Sequence, residues 1–263
     1  SLKWEEDVKV WEELSDAERK RRARPALKTP RADVFRKKAV DVYENLERMS
    51  RGGDQGVAQM IRRDEVLYFY GATLVELNQS KKAVPMLEEL VSKFPKSRRS
   101  VAARLTLADY YFESNQFRKA VPHYLRIAAA PVSATSQDNI QAYAFYKLGW
   151  CYVNTAEYNK AILSFRKTLE ASKVSKSERR VAFEKEALND IGRAFVLAGE
   201  FEAGEEFFEA LGPAGKEQLK KFRVYAAEGA RDQGKLELAL KLYNKLIEED
   251  PEGPSALDYS LEK

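Results

Sequence analysis

The chain has very little of what catalysis and cross-linking use. Among 263 residues there is one cysteine and one histidine, so Cys151 cannot enter an intramolecular disulfide and no Cys- or His-based zinc set can be assembled. No stretch approaches 18 consecutive apolar residues, which excludes a membrane-spanning helix by hydropathy. The N-terminal Ser-Leu-Lys-Trp has no apolar core of the kind a signal peptide needs. No glycine-rich phosphate loop occurs, since Gly52-Gly53 lacks both the spacing and the lysine of one. His123 falls on a helical stripe with no second ligand or base to work with, and Cys151 lies between Trp150 and Tyr152 without the basic neighbours that make a thiol reactive. Both read as packing residues. The expectation is a non-catalytic chain with no metal and no cofactor.

What is present is amphipathic helix. Hydrophobic residues make up 44% of the chain and charged residues 33%, enough for a core with solvated outer faces. The net charge of +4 is local. Residues 1–38 hold 12 Lys/Arg against 8 Asp/Glu, and the rest of the chain is balanced. The basic run Arg19-Lys20-Arg21-Arg22-Ala23-Arg24 reads first as a solvated helix end or linker. Contact with an acidic protein or an anionic membrane surface comes second, and nucleic acid is disfavoured because the charge is confined to one segment.

Short phrases recur along the sequence: Lys-Lys-Ala-Val at 37–40 and 81–84, Arg-Lys-Ala-Val at 118–121 and Asn-Lys-Ala-Ile at 159–162. Each is followed, four residues after its alanine, by Tyr43, Leu87, Tyr124 or Phe165, which places the pair on one helix face. Upstream lies a second stripe with a small residue in its middle. Leu67, Tyr70, Gly71 and Leu74 precede Ala83; Leu107, Ala108 and Tyr111 precede Ala120; Phe145, Leu148, Gly149 and Tyr152 precede Ala161. The layout continues as Leu188, Ile191, Gly192 and Phe195 before Gly204, and as Ala226, Ala227 and Ala230 before Ala239. The first small residue lets the two helices of a unit approach; the second fits between neighbouring units.

A helix carrying large–x–x–Leu–Gly–x–x–Tyr, a turn, and a helix carrying Ala–x–x–x–Phe with a closing proline resembles the tetratricopeptide repeat, or TPR. Pro95 and Pro251 stand at the closing position, and Gly199 and Gly234 in the turn. The resemblance implies an all-α, right-handed α-α superhelical solenoid of TPR helix-turn-helix units. Five repeats span 64–251. They follow a charged N-terminal helix and Pro-containing linker at 1–33 and a half repeat with a flexible loop at 34–63, where 34–49 read as one helix. Residues 252–263 form a tail that begins a further helix. Trp4, Val8, Trp11 and Leu14 make a separate stripe suited to capping the array. Repeat spacings of 37, 41, 43 and 35 place extra length near 131–138 and 171–180. Arg104 and Arg223 replace the first large apolar residue of units two and five.

The family docks peptides in the concave groove lined by the first helices. The matching positions here are Tyr68, Ala72 and Val75; Leu105, Asp109 and Phe112; Tyr146, Trp150 and Val153; Asn189, Arg193 and Val196; and Val224, Glu228 and Arg231. The Lys/Asn clamp some members use for a C-terminal carboxylate is absent from them. The expected partner-binding residues are Tyr68, Val75, Asp109, Phe112, Tyr146, Trp150, Val153, Asn189, Arg193 and Arg231, with an apolar partner segment centred on Tyr146 and Trp150. The runs Phe94–Ala103, Leu107–Tyr111 and Tyr146–Tyr152 are similar to junctions in bacterial cell-envelope TPR proteins, such as the β-barrel assembly lipoprotein and the Tol–Pal accessory protein. That implies a protein or peptide partner in the periplasm or envelope, with membrane association only through a partner, a lipid anchor or the basic segment. The alternatives are a cytoplasmic location and a recognition or regulatory module of a longer multidomain protein. Oligomeric state stays open.

Overall fold

A computed structural model describes residues 9–10, 30–52, 62–130, 140–173 and 180–251. Among these are eleven α-helices, one short 3-10 turn and no strand. The helices are α1 (Pro30–Arg51), α2 (Arg63–Glu76), α3 (Ser80–Lys93), α4 (Ser100–Glu113), α5 (Phe117–Ala128), α6 (Ile140–Asn154), α7 (Tyr158–Ser172), α8 (Arg180–Ala198), α9 (Phe201–Glu209), α10 (Lys216–Asp232) and α11 (Leu236–Glu249). The Trp4–Leu14 stripe apart from residues 9–10, the Arg19–Arg24 run, the 131–138 insertion and the 252–263 tail lie outside the described residues. Two compact units divide within α3, between Met86 and Leu87.

In the first unit α1 runs longer than the 34–49 stripe: Pro30 starts it, as suits a residue without an N–H, and Ser50 and Arg51 extend it into the segment expected to be loop. It packs on α2. The rings of Tyr43 and Tyr70 lie 6.1 Å apart, and the Tyr70 hydroxyl donates to Glu44 at 3.0 Å. Arg36 pairs with Glu76 at 2.6 Å, and the buried Glu47 takes Arg51 at 2.7 Å and Arg63 at 2.9 Å.

The second unit contains four helix pairs, α4/α5, α6/α7, α8/α9 and α10/α11. Their small residues are buried where the repeat logic needs them: Ala120 and Ala161 are fully enclosed, with Tyr124 and Phe165 one turn on. A β-carbon on Gly149 would sit 2.4 Å from the Phe165 ring of its own pair, and one on Gly204 would sit 2.3 Å from Phe222 of the next pair. The first glycine therefore sets the spacing within a repeat and the second the spacing between repeats. One continuous core runs from Ala161 and Phe165 through Ile191, Phe208 and Phe222 to Leu246. The α9 helix is only nine residues long and ends in the Gly212–Gly215 3-10 turn, where Gly-Pro-Ala-Gly stops the helix.

All five turns between first and second helices share one construction. The residue after the first helix's C-cap is left-handed in each: Asn78 (φ 58°), Asn115 (φ 56°), Ala156 (φ 58°), Gly199 (φ 73°) and Gly234 (φ 74°). The next N–H reaches back five residues to cap the helix, as in Gln79 to Leu74 at 2.8 Å, Gln116 to Tyr111 at 2.8 Å, Glu157 to Tyr152 at 2.8 Å, Glu200 to Phe195 at 3.0 Å and Lys235 to Ala230 at 2.8 Å. This is the Schellman motif. Only its two glycine versions are visible as turn signals in the sequence.

Arg223 is 5% exposed on α10, yet it does not disturb the fold, because carboxylates from two other helices close around it. Glu205 lies at 2.7 Å and Glu209 at 3.1 Å, and Glu249 also bonds its guanidinium. Burial works against its charge, and these partners outweigh it, so its pKa is raised. Arg104 solves the same problem differently, donating to the Val91 carbonyl at 3.0 Å.

Candidate partner-binding face

In the second unit the first helices α4, α6, α8 and α10 are linked side by side through their own side chains. Asp109 on α4 accepts hydrogen bonds from Tyr124 of α5 at 2.6 Å and from Tyr143 of α6 at 3.0 Å. Burial, the largest influence, holds its carboxyl above the ordinary value despite these donors and nearby Lys147. Lys147 spans the same junction, its ammonium 4.0 Å from the centre of the Phe112 ring and 5.5 Å from that of Tyr143. Phe112 meets Phe117 edge-on at 5.4 Å.

The α6–α8 junction repeats the device with the donor on the other side. Tyr146 donates to the buried Asp190 at 2.9 Å, and the indole of Trp150 hydrogen-bonds into the same pair. Burial lifts the Tyr146 hydroxyl to about 12 and raises the Asp190 carboxyl. Both rings also lean on Phe165, at 5.7 and 6.1 Å. At α8–α10 the Arg193 guanidinium lies 5.8 Å from the Tyr225 ring centre, and Val196 fills the space a Gly229 side chain would need.

The structure thus brings Asp109, Phe112, Tyr146, Trp150, Val153, Asn189, Arg193 and Arg231 onto successive first helices of the second unit. Arg193 is exposed and the others half-buried. Arg231 hydrogen-bonds Tyr243, the main influence raising its pKa, and lies 3.6 Å from Asp232. Tyr68 and Val75 sit on α2 in the first unit, where Tyr68 meets Phe69 edge-on at 5.4 Å. Sequence reasoning missed Tyr143, Lys147, Asp190 and Tyr225. The spacing of Tyr143 and Tyr146 on one helix was the available signal.

Nucleophiles and bases are muted here. Cys151 is buried, which pushes its thiol up to about 12. His123 is held below its ordinary pKa by burial and by Arg104, and its ring stacks on Tyr111 at 5.8 Å. Among the described residues no three His, Cys, Asp or Glu side chains form a metal-binding group, and no helix is long and apolar enough to cross a membrane.

Residues 71–134 match one family model described as tetratricopeptide repeat, and residues 143–171 match a second. The chain carries tetratricopeptide repeats. Such repeats indicate a protein-interaction scaffold. Solved structures that resemble it include the C-terminal part of a TPR repeat-containing protein from Cytophaga hutchinsonii, with a TM-score of 0.45, 17% identity and coverage of 98% of this chain and 94% of that one. PilF of Pseudomonas aeruginosa scores 0.41 at 13% identity over 87% and 100% of the two chains. PilW, a type IV pilus biogenesis factor, scores 0.41 at 12% identity over 88% and 99%. No curated protein matches the sequence.

Proposed function

We propose that this TPR chain is a non-catalytic scaffold that docks a segment of a partner polypeptide along its first helices, within an assembly of the bacterial cell envelope. One observation carries the docking face: Phe112, Trp150, Arg193 and Tyr225, one from each first helix of the second unit, are fixed by ring and hydrogen-bond contacts. Side chains already held in place lose little rotamer freedom when a partner arrives, which favours their use as anchors. The Tyr146 hydroxyl is engaged by Asp190, so a partner meets the tyrosine ring and the indole rather than a free hydroxyl. The envelope location is supported by the likeness of the 94–111 and 146–152 runs to envelope TPR proteins.

Site-specific photo-crosslinking in cells tests the face. A photoreactive residue at 150 or 193 should capture a discrete partner, and one at the exposed second-helix positions Leu163 or Leu125 should not. Capture confined to 163 and 125 would move the docking face to the second helices. Trp150→Ala protein that folds normally and keeps full partner affinity would remove the indole from the site. Recovery of the chain solely from the cytoplasmic fraction would overturn the envelope location.

A further inference from the structure

In the second unit the outer ridge of each second helix is built from the same repeat positions, counted from its small residue, yet its charge changes sharply from pair to pair. On α5 the exposed residues are Arg118, Lys119, Pro122, Leu125 and Arg126, with no acid among them. On α7 the equivalent positions, 41 residues on from Ala120 to Ala161, expose Asn159, Lys160, Leu163, Arg166 and Lys167, with Glu170 beyond them. On α9 they hold Glu202, Glu206 and Glu209, with Ala203 and Ala210 between. The ridges are therefore basic across α5 and α7 and acidic on α9.

The two basic ridges face the same side. Helices α5 and α7 flank α6, Tyr124 meeting Tyr143 edge-on at 6.5 Å and Phe165 lying 5.7 Å from Tyr146. The same buried positions, Ala120 with Tyr124 and Ala161 with Phe165, turn both ridges away from the first helices. Of their cations, Lys160 pairs with Glu157 at 2.5 Å, while Arg118, Lys119, Arg126, Arg166 and Lys167 take part in no ion pair among the described residues. Lys119, Arg166 and Lys167 lie instead over the rings of Tyr111, Phe207 and Phe145, at 5.5, 5.3 and 5.6 Å. Leu125 and Leu163 stand among these cations, 46% and 53% exposed.

The composition selects the counter-surface. A protein interface is enriched in aromatic anchors and depleted of lysine, and single-stranded nucleic acid is held by stacking on exposed rings. These ridges expose three lysines and no aromatic ring. Long cationic side chains run their stems alongside apolar neighbours and lift their heads to phosphate. Leucines framed by such cations suit the boundary between headgroups and acyl chains.

We propose that the α5–α7 ridges rest on an anionic phospholipid bilayer, with Leu125 and Leu163 at the acyl boundary and the five unpaired cations on the phosphates. The acidic α9 ridge is repelled by that surface and limits the contact to these two helices. The first helices take no part in it, so the contact stands apart from the polypeptide docking proposed above.

Co-sedimentation of the whole chain with vesicles tests this. The chain should bind phosphatidylglycerol–phosphatidylethanolamine vesicles, with affinity falling as salt rises, and should not bind phosphatidylethanolamine–phosphatidylcholine vesicles. Arg126→Glu/Lys167→Glu should retain its circular dichroism and lose at least about 25-fold in partitioning, about fivefold for each cation removed. A polarity-sensitive dye on Leu163→Cys, where buried Cys151 does not compete for the label, should shift to apolar emission on the anionic vesicles. Failure to bind those vesicles, or dye emission that they leave unchanged, would overturn the proposal. Binding that Arg126→Glu/Lys167→Glu leaves intact and Arg21→Glu/Arg22→Glu abolishes would also overturn it, moving the membrane contact to the 19–24 run. A chain that ignores the vesicles but holds duplex DNA through Arg126 and Lys167 would give the ridges to nucleic acid instead.

Discussion

Gly149 and Gly192 occupy the same repeat position, one on α6 and one on α8, and an added methyl group should have opposite effects at the two. At Gly149 the β-carbon would lie 2.4 to 2.6 Å from three atoms of the Phe165 ring. That ring is fully buried and flanked by Tyr146 and Trp150, so it has nowhere to retreat. Overpacking of this kind costs about 1–3 kcal/mol, against which alanine's better helix propensity returns about 1. With three ring atoms inside contact distance the upper part of the range applies, and Gly149→Ala should lose about 2 kcal/mol. At Gly192 the nearest atoms, on Phe222 and Phe208, would be 3.4 and 3.5 Å away, ordinary contact. Gly192→Ala should then gain about 0.5–1 kcal/mol. Urea melts followed by circular dichroism, with the slope compared as well as the midpoint, measure the pair. Equal shifts in the same direction would refute the claim that Gly149 is required by close helix approach.

Further outcomes are expected elsewhere. Ala156→Gly should stabilise by about 0.5–1 kcal/mol, since a left-handed alanine costs about 1–2 kcal/mol and glycine's extra unfolded-state entropy returns part of that; a destabilised variant would contradict the strain read at φ 58°. Arg223→Ala should cost about 3 kcal/mol, the low end for breaking a buried pair, because Glu209 and Glu249 are 53% and 42% exposed and rehydrate while Lys245 still holds Glu205; a loss below about 1 kcal/mol would mean the cluster is energetically idle. Asp190 has its folded pKa raised by burial, so the native state binds that proton more readily than the unfolded chain. Its contribution to stability therefore grows as pH falls from neutral through the folded pKa, and levels off below the unfolded one. Melts of wild type and Asp190→Asn should converge relative to one another over that interval, and a pH-independent difference would count against the buried charge.

The repeat architecture was legible because it rests on local spacing. Ala83, Ala120, Ala161, Gly204 and Ala239 mark the second helices directly, and the structure buries each of them. The turns were half legible. Gly199 and Gly234 announce a left-handed residue, but Asn78, Asn115 and Ala156 become left-handed only because the capping hydrogen bonds demand it. Arg223 could be flagged from sequence as an intruder at an apolar position. Its remedy could not, since the three carboxylates stand 14 to 26 residues away on two helices. The same holds on the candidate face: Asp109 was assigned by position, while Asp190 became visible only once Tyr146 was seen to reach it across the gap between repeats.

The two tyrosine–aspartate links on α6 have a consequence for measurement of length on that face. Aliphatic packing tolerates small slides of one helix past another at similar energy, whereas a phenol is a rod of fixed length and its hydroxyl bond admits little stretch. Tyr143 reaches back to α4 and Tyr146 forward to α8, so α6 serves as the datum from which both neighbours are gauged. If a partner segment docks across α4, α6 and α8 as proposed, it would be read against a ruler whose graduations are set by covalent geometry, and its own side-chain intervals would have to match that scale.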